Sequence, residues 1–274
     1  MEHRRILSPE DYLEPACPLC MNQNAVKRIP LERVAEKLDE YMGRQDFAAA
    51  RRHLTFWLAE AESGGDLRGA FGVHSEWMGF ARKMGEGDEA IAHAKAALSL
   101  LHEVGEESIA AATVCINAAT VYQAFSQPET ALPLFERAHT IYHRELSPND
   151  ARVGGLYNNM ALTLVSLGRY GEAHELYKKA LNIMGSAENG ALEQAITYLN
   201  MANAVETEHG LEKAEANIAQ YLDIAADLLD TPSLPRNGYY AFVCEKCAPT
   251  FDYYGYFFAA NDLKQRARTI YERS

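Results

Sequence analysis

The apolar and polar positions of the chain repeat in a pattern that predicts helices. A small alanine that follows a turn recurs at intervals of 40 to 46 residues. Around it stand columns of small and large residues, which paired helices need for close packing. No strand-like alternation of useful length appears. The pattern therefore predicts an all-α fold, a solenoid of antiparallel helix pairs, with the six anchoring alanines at Ala50, Ala90, Ala131, Ala173, Ala214 and Ala260.

Turn-forming residues divide this pattern into segments. Gly and Pro end the first helix of each unit and begin the second, as at Gly168 and Pro128, because neither residue continues a helix well. The breaks predict an N-terminal arm at 1–30, five helix pairs at 31–230, and a linker with an aromatic-rich capping pair at 231–274. Pro249 lies inside the first helix of that last pair and should kink or end it.

Nine residues of one unit form a motif of large and small positions: Tyr157, Met160, Ala161, Leu164, Gly168, Tyr170, Ala173, Tyr177 and Ala180. A second unit, with Ala118, Tyr122 and Phe135, follows this motif nearly as well. The motif resembles that of the tetratricopeptide repeat family. The repeats are similar to the longer version, about 42 residues, of kinesin light chains. The resemblance implies a right-handed superhelical solenoid that binds proteins, with extended peptides in a concave groove lined by the first helices.

Three successive units place asparagine in one column, which by the resemblance points into the groove. A carboxamide has both a donor and an acceptor, so it can bond a peptide unit without reading its side chain. Helices about 10 Å apart would meet about every third residue of an extended strand. The alternative is that these amides cap turns or face water. The predicted peptide-binding residues are Asn117, Asn159 and Asn200, with Asn158, Asn203, Glu76 and Lys246 beside them.

Two Cys-x-x-Cys pairs leave several interpretations open. Cys244 and Cys247 share a helix face that should lie in the packing interface, where free cysteine behaves as a small hydrophobe. With Cys17 and Cys20 they would complete the four ligands of a tetrahedral zinc site. The alternatives are therefore a shared zinc site, core or loop thiols, and a redox or zinc function of one pair alone.

Aromatic residues are dense near the C-terminus, with nine between Tyr239 and Phe258. They predict a bulky cap that closes the array. A ligand platform built from Tyr253, Tyr254 and Tyr256 is the alternative.

Composition and charge narrow the functional classes. A net charge of −12 argues against a nucleic-acid partner, which needs a basic surface. No apolar run reaches the length of a membrane span, and the N-terminus lacks the apolar segment of a secretory signal. Five cysteines without such a signal suggest a reducing cytoplasm.

No phosphate loop, nucleophile elbow or zincin motif occurs, so we expect no catalytic residue and no enzyme activity. The sequence thus predicts a cytoplasmic module that binds a protein or peptide, without a cofactor unless zinc is present. The alternatives are a structural scaffold that forms homo-oligomers and an adaptor controlled by zinc or thiols.

Overall fold

The computed structural model describes residues 26–188 and 190–273. Within these ranges the chain forms twelve α-helices and one short 3-10 helix at Leu101–Glu103, with no strand, which confirms the all-α prediction. In order, the helices are α1 (Leu31–Gly43), α2 (Phe47–Ser63), α3 (Leu67–Met84), α4 (Gly87–Ser99), α5 (Ile109–Ala124), α6 (Pro128–Glu145), α7 (Ala151–Ser166), α8 (Tyr170–Met184), α9 (Gly190–His209), α10 (Leu211–Leu229), α11 (Gly238–Tyr253) and α12 (Phe257–Tyr271).

The chain divides after Trp77 into two compact units. In the first unit, α1 and α2 pack around Val34, Leu38 and Leu54. The buried carboxylate of Asp66 accepts hydrogen bonds from the backbone N–H of Gly69 and of Ile29, each at 2.9 Å. Asp66 therefore caps the start of α3 and ties it to the segment before α1.

The second unit holds most of the repeats. Helices α5 and α6, α7 and α8, α9 and α10, and α11 and α12 pack against each other as pairs, since only a short turn joins each pair. The anchoring alanines at the start of the second helices are almost completely buried: Ala131, Ala173, Ala214 and Ala260. A methyl side chain at this point lets the two helices approach closely, which explains why a small residue recurs there.

Turns within the pairs depend on one residue in the left-handed region. At Gly168 φ is +72°, and the N–H of Arg169 bonds back to the carbonyl of Leu164 at 2.8 Å. This geometry closes the end of α7 and reverses the chain. Ser126 occupies the same place after α5 with φ +58°, so the turn also forms without glycine.

Proline inside the last pair does not end its helix. Helix α11 continues through Pro249 to Tyr253, so of the two predicted effects, the break is wrong. Pro249 has no N–H to donate to the carbonyl four residues before it, in Glu245. Both residues are exposed, and water can therefore bond the freed carbonyl.

The first helices of the second unit lie side by side. Helix α7 contacts α5 and α9, and α9 contacts α11. We call the side of α5, α7, α9 and α11 that faces away from their paired second helices the first-helix face.

Candidate binding face

The asparagine column lies on neighbouring helices, with Asn117 on α5, Asn159 on α7 and Asn200 on α9. Asn117 is exposed, and the other two are partly exposed. Within residues 26–188 and 190–273, the side-chain amides of Asn117 and Asn159 have no hydrogen-bond partner, and only their backbone carbonyls accept bonds, from Thr120 and Thr163. Two of the three amides are therefore open to a ligand.

Asn200 differs because its amide already has a partner. Its Nδ2 donates to Oδ1 of Asn158 at 3.1 Å, which joins α9 to α7. Asn158, predicted to flank the ligand, is instead 8% exposed, so it offers almost no surface of its own. Asn200 keeps its side-chain oxygen and one N–H for other contacts.

Asn203, the other predicted flanking residue, is exposed on α9, and its side-chain oxygen accepts a hydrogen bond from the hydroxyl of Tyr254 at 3.0 Å. The same hydroxyl donates to Glu206 at 2.7 Å, and the hydroxyl of Tyr253 donates to Glu206 at 2.9 Å. Tyr239 similarly donates to Glu193. The α9–α11 part of the face is thus built from carboxylates bonded to tyrosines.

These bonds change the acidity of the tyrosines. Burial, followed by the hydrogen bond to Glu206 and its charge, raises the pKa of Tyr254 well above its usual range. The hydrogen bond to Glu206 is the main cause that raises the pKa of Tyr253. In both cases the neutral phenol is favoured, since ionisation would place a second negative charge beside the carboxylate.

The two charged residues predicted beside the asparagine column belong to different units of the chain. Lys246 is exposed on α11, and within the described residues its ammonium group has no ion-pair partner. Glu76 lies on α3 in the first unit, where burial and the charge of Asp39 raise its pKa. We therefore limit the candidate face to the second unit, which leaves Glu76 outside it.

The described cysteine pair lies in the core. Cys244 and Cys247 are free thiols that are at most 1% exposed, and burial raises the pKa of Cys244 to about 11 and that of Cys247 to about 12. Cys17 and Cys20 lie outside the described residues, so the shared zinc site stays a prediction. In the described ranges, no three His, Cys, Asp or Glu residues come together as metal ligands.

The aromatic segment is divided between core and surface. Tyr240 and Phe251 are buried, and the Tyr240 hydroxyl donates to the carbonyl of Leu229 at 3.1 Å. Phe257 and Phe258 at the start of α12 are exposed. Only part of the segment therefore packs as a cap.

A protein-family model identifies the repeats. The tetratricopeptide repeat model matches residues 79–144 and 152–227, which is more than half of the chain. The chain belongs to the tetratricopeptide repeat family. Such repeats are protein–protein interaction modules, and the family typically serves as a non-enzymatic scaffold.

Solved structures share the fold of this tetratricopeptide repeat protein. BtubC (BKLC) from P. vanneervenii is 23% identical with a TM-score of 0.60, and the match covers 76% of this chain and 84% of BtubC. The Rap protein complexed with Competence and Sporulation Factor is 17% identical with a TM-score of 0.55, and the match covers 89% of this chain and 78% of Rap. No curated protein sequence gives a match. Of the described helices, none is long and apolar enough to span a membrane.

Sequence reasoning missed the roles of Glu193 and Glu206. The aromatic density after Tyr239 was the available signal, because tyrosine hydroxyls usually find a hydrogen-bond partner. The sequence did not show which glutamate accepts a bond from which tyrosine, since Tyr254 and Glu206 are separated by 48 residues.

Proposed function

We propose that the chain binds an extended segment of a partner protein across the first-helix face of its second unit. The observation that carries the proposal is the pair of unpartnered amides, Asn117 and Asn159, at equivalent places on two helices that contact each other. Each amide bonds one peptide unit of the segment through its donor and its acceptor.

The spacing of the helices suits such a ligand. Neighbouring helices lie about 10 Å apart, and an extended strand advances about 3.3 Å per residue, so the segment meets one helix about every three residues. Affinity then comes mainly from backbone hydrogen bonds, as in other surfaces that bind extended strands. Asn200 adds its free oxygen as a third contact, and Lys246 lies beyond it on α11.

A related fold with a bound factor supports the proposal. The Rap structure is complexed with Competence and Sporulation Factor, which is consistent with ligand binding by this architecture. The fold alone does not define the ligand, so the proposal depends on the two open amides.

The test begins with a displayed library of random peptides, selected on the purified protein. We expect binders whose affinity falls by roughly 5- to 30-fold for each of Asn117→Ala and Asn159→Ala, because each lost pair of backbone bonds costs about 1–2 kcal/mol. Asn217→Ala, an exposed asparagine on the second helix α10, is the matched control and should leave affinity unchanged. Equal affinity of all three variants and the wild type would rule out the amide contacts.

A further inference from the structure

At the α9–α11 end of the first-helix face, one carboxylate is held between two tyrosines. Oε1 of Glu206 accepts a hydrogen bond from Tyr253 at 2.9 Å, and Oε2 accepts one from Tyr254 at 2.7 Å. The two rings are nearly perpendicular, at 77°, with centroids 4.9 Å apart. We call Glu206, Tyr253 and Tyr254 the Glu206 cluster.

The two tyrosines of the cluster differ in their surroundings: Tyr254 makes further contacts with the protein, and Tyr253 is exposed. The ring of Tyr254 also lines a cleft of about 440 Å³ between α10 and the turn after α11, together with Ile218 and Tyr256. Its hydroxyl is shared between Glu206 and Asn203. Tyr253, in contrast, is 69% exposed. Tyr254 therefore holds the carboxylate in place while Tyr253 presents its ring to solvent.

No cation of the described chain neutralises Glu206. Other carboxylates of this unit have such partners, for example Glu172, which binds Arg169 at 2.7 Å. Glu206 is bonded only to neutral hydroxyl groups, and so its negative charge remains. A carboxylate has about four lone-pair positions, of which the two tyrosines use one on each oxygen. Room is left for the N–H groups of a cation.

A cationic side chain fits this cluster better than a metal ion does. Its N–H groups can form charge-assisted hydrogen bonds to the carboxylate, and the exposed face of Tyr253 attracts a cation through its ring electrons. Metal sites in proteins usually contain several carboxylate, histidine or cysteine ligands, whereas in the described ranges no three His, Cys, Asp or Glu side chains come together. The net charge of −12 also favours a basic partner.

The cluster adjoins the proposed peptide path. Asn200, Asn203 and Glu206 follow each other on α9 in steps of three residues, so each neighbours the next on the helix surface. We propose that the Glu206 cluster binds a lysine or arginine side chain of the extended segment, which would make that segment basic at one fixed position. This inference rests on the proposed function and specifies its ligand.

The experiment uses peptides selected from the random library on the wild-type protein. We expect a lysine or arginine at one position of the enriched sequences. A selected peptide and its copy with norleucine in place of lysine are then titrated against wild type, Glu206→Gln and the control Glu129→Gln. Glu129 is an exposed carboxylate on the second helix α6, so the control removes the same charge elsewhere.

For wild type and Glu129→Gln, the peptide with norleucine in place of lysine should bind about tenfold more weakly than the lysine peptide, because it lacks the cation that contacts Glu206 and Tyr253. For Glu206→Gln, both peptides should bind within about twofold of each other, since the amide keeps the shape but not the charge. Tyr253→Leu should reduce the lysine preference in part.

The outcomes separate the two proposals. If peptides are enriched without a basic position, or if Glu206→Gln retains the full preference for lysine, the cation site is wrong while the amide row stands. If no peptide binds the wild type at all, both the cation site and the proposed function fail.

Discussion

The two halves of the first-helix face use the same scaffold in different ways. On α5 and α7, Asn117 and Asn159 have amides without partners in the described part of the chain. On α9 and at the end of α11, the polar groups already have partners: Asn200 bonds Asn158 of α7, and Tyr254, just after α11, bonds Glu206. The comparison shows that a repeated column does not imply a repeated role. A polar side chain can be left without a partner in one pair and join two helices in the next.

The largest expected effect distinguishes the two adjacent asparagines of α7. Asn158→Ala should lower the free energy of unfolding by about 1–3 kcal/mol, because it leaves a donor of Asn200 without its buried acceptor. Asn159→Ala should change it by less than about 0.5 kcal/mol, since its amide has no hydrogen-bond partner among the residues that the structure describes. Urea unfolding followed by circular dichroism measures both. Equal losses for the two variants would contradict the division of roles.

A smaller effect is expected from the two tyrosines at the end of α11, Tyr253 and Tyr254. Tyr254→Phe should cost about 1 kcal/mol, because it removes a hydroxyl that bonds both Glu206 and Asn203. Tyr253→Phe should cost less, as its side chain is mostly exposed.

The pH dependence of stability checks the same bonds. The pKa of Tyr254 is raised in the fold, so its contribution is complete below the unfolded value of about 10 and is lost as the pH rises through the folded value. Alkaline unfolding should therefore penalise wild type more than Tyr254→Phe. A Tyr254→Phe protein with the same alkaline loss as wild type would show that the phenol does not contribute.

The smallest expected effect is that the buried thiols of α5 and α11 do not react. In a Cys17→Ser/Cys20→Ser variant, Cys115, Cys244 and Cys247 should not react with a thiol reagent at neutral pH in the native protein. Burial excludes the reagent and keeps the thiols protonated. All three should react in urea. Fast labelling of Cys244 or Cys247 in the native variant would show that the packing side of α11 opens.

The sequence was sufficient for the fold because the signal is local and repeated. Small anchors such as Ala173 and turn residues such as Gly168 define each pair within about 40 residues of chain. The candidate site was harder to predict because its hydrogen bonds join residues of different helix pairs. Asn158 and Asn159 are identical neighbours in the sequence, and only the structure shows that Asn158 is the one that is buried and bonded to Asn200 of α9.

The break predicted at Pro249 was wrong for a related reason. A proline costs a helix one hydrogen bond, but tertiary packing of Cys247 and Phe251 on the core holds the segment helical. The low helix propensity of proline was outweighed by tertiary contacts that cannot be read from the sequence alone.

The bond between Asn200 and Asn158 has a mechanical consequence. It joins two consecutive repeats, and in the proposed binding mode the same carboxamide also contacts the partner segment. Because Asn200 keeps one N–H and its side-chain oxygen, a bound segment can contact this amide without breaking the link, and the two repeats stay joined at α9 when the face is occupied. One side chain would then take part both in the link between two repeats and in the proposed binding of the partner segment.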